Sequence, residues 1–353
     1  MSPSPPPLNT YPLALLGFGN VGRAFAELLL EKQAHLEEAL GIRFKVVGIA
    51  THRHGMAVNP EGFSLEQALE SYRSGVSLDD LSQNSVGDVK EFLHICGAEA
   101  LVETTPVDYQ TGQPAIGYLR TALERGMHAV TANKGPVVHG YRELTDLARS
   151  RGLSFFFESA VMDGAPVFSI ARCGLPGAEV TGFQGILNST TNLILSRMEE
   201  GESFDQAVAY TQSIGIAETD PSGDVDGWDA AVKVAALSTV LMDLPLTPDQ
   251  VDRSGIREIT REQVSQAAAQ QKRWKLVCRA QRDSKHPQGV RASVEPRLVL
   301  PDSPLYNVMG TSAILQIESD VLGRLSLIEE NPSPKTTAYG LLADLLNAFQ
   351  ESP

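Results

Sequence analysis

The stretch Leu13-Ala-Leu-Leu-Gly17-Phe18-Gly19-Asn20-Val21-Gly22 decides how the chain is read. Four apolar residues in a row suit a strand buried on both faces, as in a parallel sheet. GxGxxG alone is a weak signal, because glycine-rich turns are common. Here a buried strand precedes it and helical spacing over 23–40 follows directly. In that setting Gly17 permits a tight turn, Gly19 lets a pyrophosphate approach the backbone, and Gly22 lets helix and strand pack closely. The phosphates then rest on free N–H groups at the helix N-terminus. The six residues from Gly17 to Gly22, with Phe18, Asn20 and Val21 among them, are the first cofactor-binding candidates.

Working outward, 44–50 (FKVVGIA) reads as a second strand, and strand–helix–strand implies a parallel sheet with a right-handed crossover. Strands at 100–104 and 128–131, with helices near 64–74, 88–96 and 113–125, continue the alternation. After about residue 150 the pattern changes. Strands are expected at 153–158 and 180–187, then helices near 190–200, 203–214, 226–242 and 260–272. Strand-like runs at 274–280, 291–300, 313–318 and 321–328 suggest an antiparallel or mixed sheet covered by helices, and a helix over 335–350 closes the chain. The expected fold class is α/β: a Rossmann-type parallel-sheet domain plus a second, α+β substrate domain. Residues 1–10, with four prolines, read as a flexible tail. The dinucleotide-binding domain is assigned 11–150 plus about 335–353, and the second domain 151–334.

Composition narrows the partners. With 353 residues, 42% hydrophobic and 20% charged, the chain suits a two-domain globular protein. Lysine and arginine number 29 against 43 aspartate and glutamate, a formal charge of −14. That balance excludes the basic surface a nucleic-acid or anionic-membrane binder needs, so a small-molecule substrate is expected. Cys96, Cys173 and Cys278 form no CxxC pair, and the seven histidines show no metal-ligand spacing. No apolar run approaches a membrane span, and no basic segment precedes the N-terminal apolar stretch, so a reducing, cytoplasmic setting is expected.

Three further segments carry candidate chemistry. The second strand ends Ala50-Thr-His52-Arg53-His54 without the acid that would accept a ribose 2′-hydroxyl. Arg53, helped by His52 or His54, can instead pair with a 2′-phosphate, which favours NADP while leaving NAD possible; the bland alternative is a solvated loop. Thr131-Ala-Asn133-Lys134-Gly-Pro136 follows the fourth strand, where parallel-sheet ends face a ligand crevice, so Lys134 can reach toward a nicotinamide. Thr104, closing the third strand, is counted with the cofactor residues. Glu218-Thr-Asp220-Pro-Ser-Gly-Asp224-Val-Asp226-Gly-Trp-Asp229-Ala-Ala-Val-Lys233 fails the EF-hand pattern. Asp229 and Lys233 lie i, i+4 on one face of an otherwise apolar helix. A surface ion pair is the ordinary reading of such spacing. A partly desolvated lysine in that place suits proton transfer to an alcohol or aldehyde, and Glu218 and Asp224 are available to hold a substrate ammonium.

With these residues assembled, the chain resembles the homoserine dehydrogenases from about Pro12 to about Asn347. The resemblance rests on GFGNVG, VTANKGP, ESAVMDGAPV, GILNSTTNLIL, GIAETDPSGDVDGWDAAVK and TTAYGLLADLL. It implies that Lys134 lies near nicotinamide and substrate, that Glu218, Asp224 and Asp229 bind substrate, and that Lys233 transfers the proton. Asn188 and Thr190 border the substrate site. Glu158, Val161, Asp163 and Ala165 fall where the family binds a monovalent cation, usually sodium and mostly through backbone carbonyls. Asp163 stands where a glycine is usual, and Leu327-Ile-Glu-Glu-Asn331-Pro replaces a glycine-rich loop. The resemblance is to a short form without a C-terminal ACT domain, and implies a homodimer built through the second domain. The implied reaction interconverts L-aspartate 4-semialdehyde and L-homoserine in threonine, methionine and isoleucine biosynthesis. The rivals are a dehydrogenase of another small amino-acid aldehyde and a non-catalytic NADP-binding sensor.

Overall fold

The structure, a computed structural model, describes residues 6–82 and 85–350. The chain divides into two compact units, 1–164 with 333–353, and 165–332.

The first unit holds strands β1 (Asn9–Leu16), β2 (Ile42–Ala50), β3 (Met56–Val58), β4 (Ala100–Glu103), β5 (His128–Thr131) and β6 (Phe155–Phe156). Its helices are α1 (Asn20–His35), α2 (Leu65–Ser74), α3 (Val89–Ile95), α4 (Ala115–Glu124), α5 (Lys134–His139) and α6 (Tyr141–Ser150). The sheet order is β3-β2-β1-β4-β5-β6, parallel except for β3 at one edge. Residues 13–16 are 0–2% exposed, as the apolar run requires of a central strand. Burying each such leucine contributes about 1.5–3 kcal/mol.

Two expectations are corrected here. Strand β1 opens at Asn9, whose N–H donates to Gly41 O at 2.8 Å, and Tyr11 stacks on Phe349 with centroids 4.0 Å apart. Residues 9 and 10 are therefore sheet rather than tail, while residues 1–5 lie outside the described part. The first unit also runs to Gly164 rather than 150, because β6 pairs with β5. The closing helix, Pro334–Gln350, belongs to this unit and packs on α1.

The second unit holds β7 (Val180–Ile186), β8 (Asp252–Arg253), β9 (Arg273–Arg282), β10 (Val290–Val299), β11 (Ala313–Ser319) and β12 (Gly323–Glu329). Its helices are α7 (Val167–Ser169), α8 (Ser189–Glu199), α9 (Phe204–Ser213), α10 (Ser222–Val225), α11 (Trp228–Leu241) and α12 (Arg261–Ala269), which leaves the closing helix as α13. The order is β12-β11-β7-β9-β10-β8, antiparallel apart from the β8–β10 pair, so the sheet is mixed. Helices α8, α11 and α12 pack against β9. Nine of the fourteen residues of α11 are buried, and Asp229 and Lys233 are among the five that are not. Among the described residues no helix is long and apolar enough to cross a membrane.

Candidate active site

In the first unit, β1, β4 and β5 end on one edge of the sheet, and the loops leaving them carry Gly17, Thr104 and Lys134. Gly17 has φ +103°, a conformation that disfavours any side chain. A Cβ on Gly22 would lie 2.4 Å from Gly17 O, so helix α1 can approach the turn only with glycine there. A Cβ on Gly19 meets nothing within 4 Å, which leaves open space beside the start of α1. No acid stands in the first turn of α1 to compete for its N–H groups. Thr104 Oγ1 donates to Gly17 O at 3.1 Å and Thr104 N–H to Leu16 O at 2.8 Å, so Thr104 braces the turn. The Phe18 ring is 2% exposed and packs edge-on to Tyr72; only its backbone is free to meet a ligand. Asn20 is exposed and Val21 half-buried against the core.

Arg53 and His52 are exposed on the loop after β2, while the His54 ring packs tilted against Tyr72, centroids 4.4 Å apart. The fold supplies this loop with an acid that reading the strand alone does not reveal. Asp79 accepts from Met56 N–H at 2.7 Å and from Ser77 Oγ at 2.9 Å, so both its oxygens are engaged by the protein. Arg23, on α1, lies over the Tyr72 ring and donates to Gly19 O, adding a second guanidinium to this region. Lys134 is the first residue of α5, and Asn133 caps that helix by accepting Gly135 N–H at 2.9 Å.

In the second unit the acids of 218–229 are sorted by their partners. Asp220 accepts from Ser222 N–H, which holds its carboxyl below the usual carboxylate range. Asp226 takes Arg257 at 2.8 and 3.1 Å. Glu218 is exposed, its backbone carbonyl taken by Gln212, and its carboxylate is no part of the network that follows. Asp224 and Asp229 converge on Asn188, whose Nδ2 donates to Asp224 Oδ1 at 2.6 Å and Asp229 Oδ2 at 3.0 Å. The Oδ1 of Asn188 caps α8 by accepting Thr191 N–H at 2.8 Å, which fixes the amide's orientation. Thr190 also hydrogen-bonds Asp224.

Lys233 Nζ lies 3.1 Å from Asp229 Oδ2 and donates to Leu187 O at 2.6 Å, a backbone partner that no spacing in the sequence indicates. Burial, and then the neighbouring Asp229 carboxylate, push Asp224 up. Two carboxylates around one ammonium leave a surplus negative charge, the electrostatic preparation for a cationic ligand group.

The segment after β6 is buried. Glu158 is 2% exposed and its N–H donates to Asp344 Oδ2 of α13 at 2.7 Å. Val161 is also buried. Asp163 sits at φ 44°, in the left-handed region that glycine adopts readily and that aspartate tolerates better than most residues. Its carboxylate accepts from Thr337 Oγ1 at 2.6 Å. Ala165 begins the second unit, and its carbonyl accepts from Val167 N–H at 2.7 Å. Among the described residues no group of three or more His, Cys, Asp and Glu could hold a metal ion by side chains.

Among the buried polar residues that escaped the reading of the sequence are Glu103, ending β4, and Lys275, the third residue of β9, both 0% exposed. For Glu103 the signal was a lone charge in an apolar strand, ALVE; for Lys275, among the arginines of RWKLVCRAQR, no such signal stands out.

Comparison with known proteins agrees across both units. The family profile described as homoserine dehydrogenase matches 166–346, and the one described as homoserine dehydrogenase, NAD binding domain, matches 17–158. The chain is 36% identical over 346 residues to the NAD(+)-dependent homoserine dehydrogenase of Pseudomonas canavaninivorans, covering 98% of each. It is 33% identical to the homoserine dehydrogenase of Methanocaldococcus jannaschii, over 96% of this chain and 99% of that one. The crystal structure of a putative homoserine dehydrogenase from Archaeoglobus fulgidus superposes with a TM-score of 0.83 at 32% identity, covering 95% of this chain and 98% of that one. A hyperthermophilic archaeal homoserine dehydrogenase in complex with NADPH gives 0.81 at 30% identity, over 98% and 99%.

Proposed function

The chain belongs to the homoserine dehydrogenase family and is an NAD(P)-dependent oxidoreductase that interconverts L-homoserine and L-aspartate 4-semialdehyde; from that premise we propose the residue roles, the cofactor preference and the ion that follow. The observation that carries the assignment of roles is the convergence of Asn188, Asp224, Asp229 and Lys233 from three separate segments.

Asp224 and Asp229 bind the substrate ammonium, drawing on their surplus negative charge, with Asn188 and Thr190 orienting them. Glu218 is the loop acid that reaches the substrate from solvent. Lys233 moves the proton: as a cation it stabilises the charge that grows on the carbonyl oxygen and then protonates it, and in reverse it takes the hydroxyl proton. Asp229 holds that ammonium from one helical turn away. The free N–H groups and glycine backbone of 17–22, braced by Thr104, hold the pyrophosphate, and Lys134 serves beside the nicotinamide. When bound, the nicotinamide cofactor supplies or takes up the hydride.

NADP is preferred and NAD accepted, on the strength of Arg53 with His52 and His54 and of an Asp79 already engaged by Met56 N–H and the Ser77 hydroxyl. A monovalent cation, sodium, sits with Glu158, Val161, Asp163 and Ala165. A buried carboxylate with backbone carbonyls is a donor set of hard oxygens that suits such an ion. The protein is a homodimer built through the second unit, where edge strand β12 and the turn before it expose Val321, Leu322 and Ile328 at 75, 57 and 58%. It works in the cytoplasm, in threonine, methionine and isoleucine biosynthesis, with neither nucleic acid nor membrane as partner.

The test is oxidation of NADPH and NADH by the purified protein with aspartate 4-semialdehyde. Faster turnover with NADPH is expected. Turnover favouring NADH would overturn the Arg53 assignment, and cofactor binding without any turnover would bring the sensor reading forward.

A further inference from the structure

Glu103 closes β4, is fully buried, and none of the described cationic side chains pairs with it. Its partners are neutral donors. One oxygen, Oε1, accepts from Thr105 N–H at 2.6 Å and from Thr105 Oγ1 at 2.5 Å, and Oε2 accepts from Thr131 Oγ1 at 2.5 Å. Burying a carboxylate without a counter-ion is costly, and the apolar core around it gains nothing from the charge.

The consequence runs through Thr131. Its hydroxyl has one hydrogen, which goes to Glu103, so its lone pairs face Asn133 N–H, accepted at 2.9 Å. Asn133 in turn caps α5 through Gly135 N–H, and its Nδ2 donates back to Thr105 O at 3.3 Å and Pro106 O at 3.5 Å. The loops after β4 and β5 are thus tied to one carboxylate, and Lys134 is the next residue along. Glycine is required where these loops touch, since a Cβ on Gly135 would lie 2.8 Å from Gly112 Cα.

We propose that Glu103 is a positioning residue for Lys134: acting through Thr105, Thr131 and Asn133, it fixes the turn from which α5 and the lysine emerge. The proposal rests on the role given to Lys134 above. Burial pushes the Glu103 carboxyl up, while the hydroxyl and amide donors of Thr105, Thr131 and Asn133 oppose that rise. Three donors match a carboxylate. An amide in its place accepts two at best, and its NH2 faces the Thr131 hydroxyl as a donor, so the Thr131 hydrogen loses its acceptor and the hydroxyl its fixed orientation toward Asn133.

The experiment compares Glu103→Gln, Thr131→Val, Thr131→Ser and the Glu103→Gln/Thr131→Val pair, with Lys134→Ala as reference, in steady-state turnover of aspartate 4-semialdehyde. Glu103→Gln and Thr131→Val should each lower kcat about 10- to 100-fold, as displacement of a site residue by about an ångström does. KM for the semialdehyde should change less than about threefold. The pair should lose no more than either alone, because both break the same chain of hydrogen bonds. Thr131→Ser should restore most of the rate. If Glu103→Gln does not fold, Thr131→Val and its serine counterpart carry the test. Wild-type kcat in Glu103→Gln, additive losses in the pair, or a loss in Thr131→Ser equal to that of valine would overturn the positioning role while leaving Lys134 in place. Full activity of Lys134→Ala would overturn both, and is told apart by that variant alone.

Discussion

Two lysines of the second unit, Lys233 on α11 and Lys275 on β9, are held alike at first sight. Each donates to a backbone carbonyl, Lys233 to Leu187 O at 2.6 Å and Lys275 to Val308 O at 2.5 Å. The difference lies in what else surrounds them. Lys233 has Asp229 at 3.1 Å and keeps 14% of its side chain exposed. Lys275 is 0% exposed, and its other contacts are Asn192 Oδ1 at 2.9 Å and Met309 Sδ at 3.4 Å. Burial pulls Lys275 down to about 8; Glu199 resists and Arg273 adds to the fall. The lysine that burial lowers to about 8 is thus one sealed from any ligand. Its work is mechanical: with Asn192, which donates to the carbonyls of Val308, Gly310 and Ser312, it pins α8 to the loop before β11. A shifted pKa marks a site only together with access and a partner that suits the chemistry.

The comparison breaks most sharply at Lys233. Lys233→Ala should lower kcat by on the order of 10³-fold, the scale of general acid–base catalysis. Near-normal turnover in that variant, with collapse in Lys134→Ala, would transfer the proton to Lys134.

Asp224→Asn comes next. It removes the surplus negative charge, so KM for homoserine should rise about 10- to 100-fold, as loss of a charged hydrogen-bond partner does, with a smaller effect on kcat. Because burial and Asp229 raise this carboxyl, substrate affinity of the wild type should fall with decreasing pH before the ordinary carboxylate range is reached. A flat pH profile of KM across that range would remove Asp224 from the ammonium site.

Lys275→Met should change turnover least and stability most distinctively. A lysine that titrates at about 8 when folded and near 10.5 when unfolded binds fewer protons in the native state between those values. Stability of the wild type relative to the variant should therefore rise with pH from about 8 to about 10.5. The gain is on the order of 3 kcal/mol at most. An unfolding-midpoint difference independent of pH would refute the buried-lysine account.

The contrast also shows what was legible beforehand. The alternation of strands and helices was readable because apolar period and glycine punctuation are local, and most expected elements lie within a few residues of those observed. The departures have local causes. Helix α1 ends at His35 and continues as a wider turn over Leu36–Leu40 that closes at Gly41, φ 66°. Strand β3 has only three residues and shows no period. Asp229 and Lys233 were readable from i, i+4 spacing. Glu218 looked equivalent to Asp224 on the page, yet one is exposed and the other is bound to Asn188.

By itself the sequence determined the parallel sheet, the glycine turn at 17–22, the acid–lysine pair on α11 and the family to which these belong. Those features depend on neighbours within one or two turns of chain, where backbone geometry dictates what meets what. Tertiary structure alone decided which acids face one another: Asn188 reaches Asp224 and Asp229 across 36 and 41 residues, and Glu103 reaches Thr131 across 28. Such pairings are set when separate segments pack and every buried polar atom must find a partner, a condition that no single segment satisfies alone.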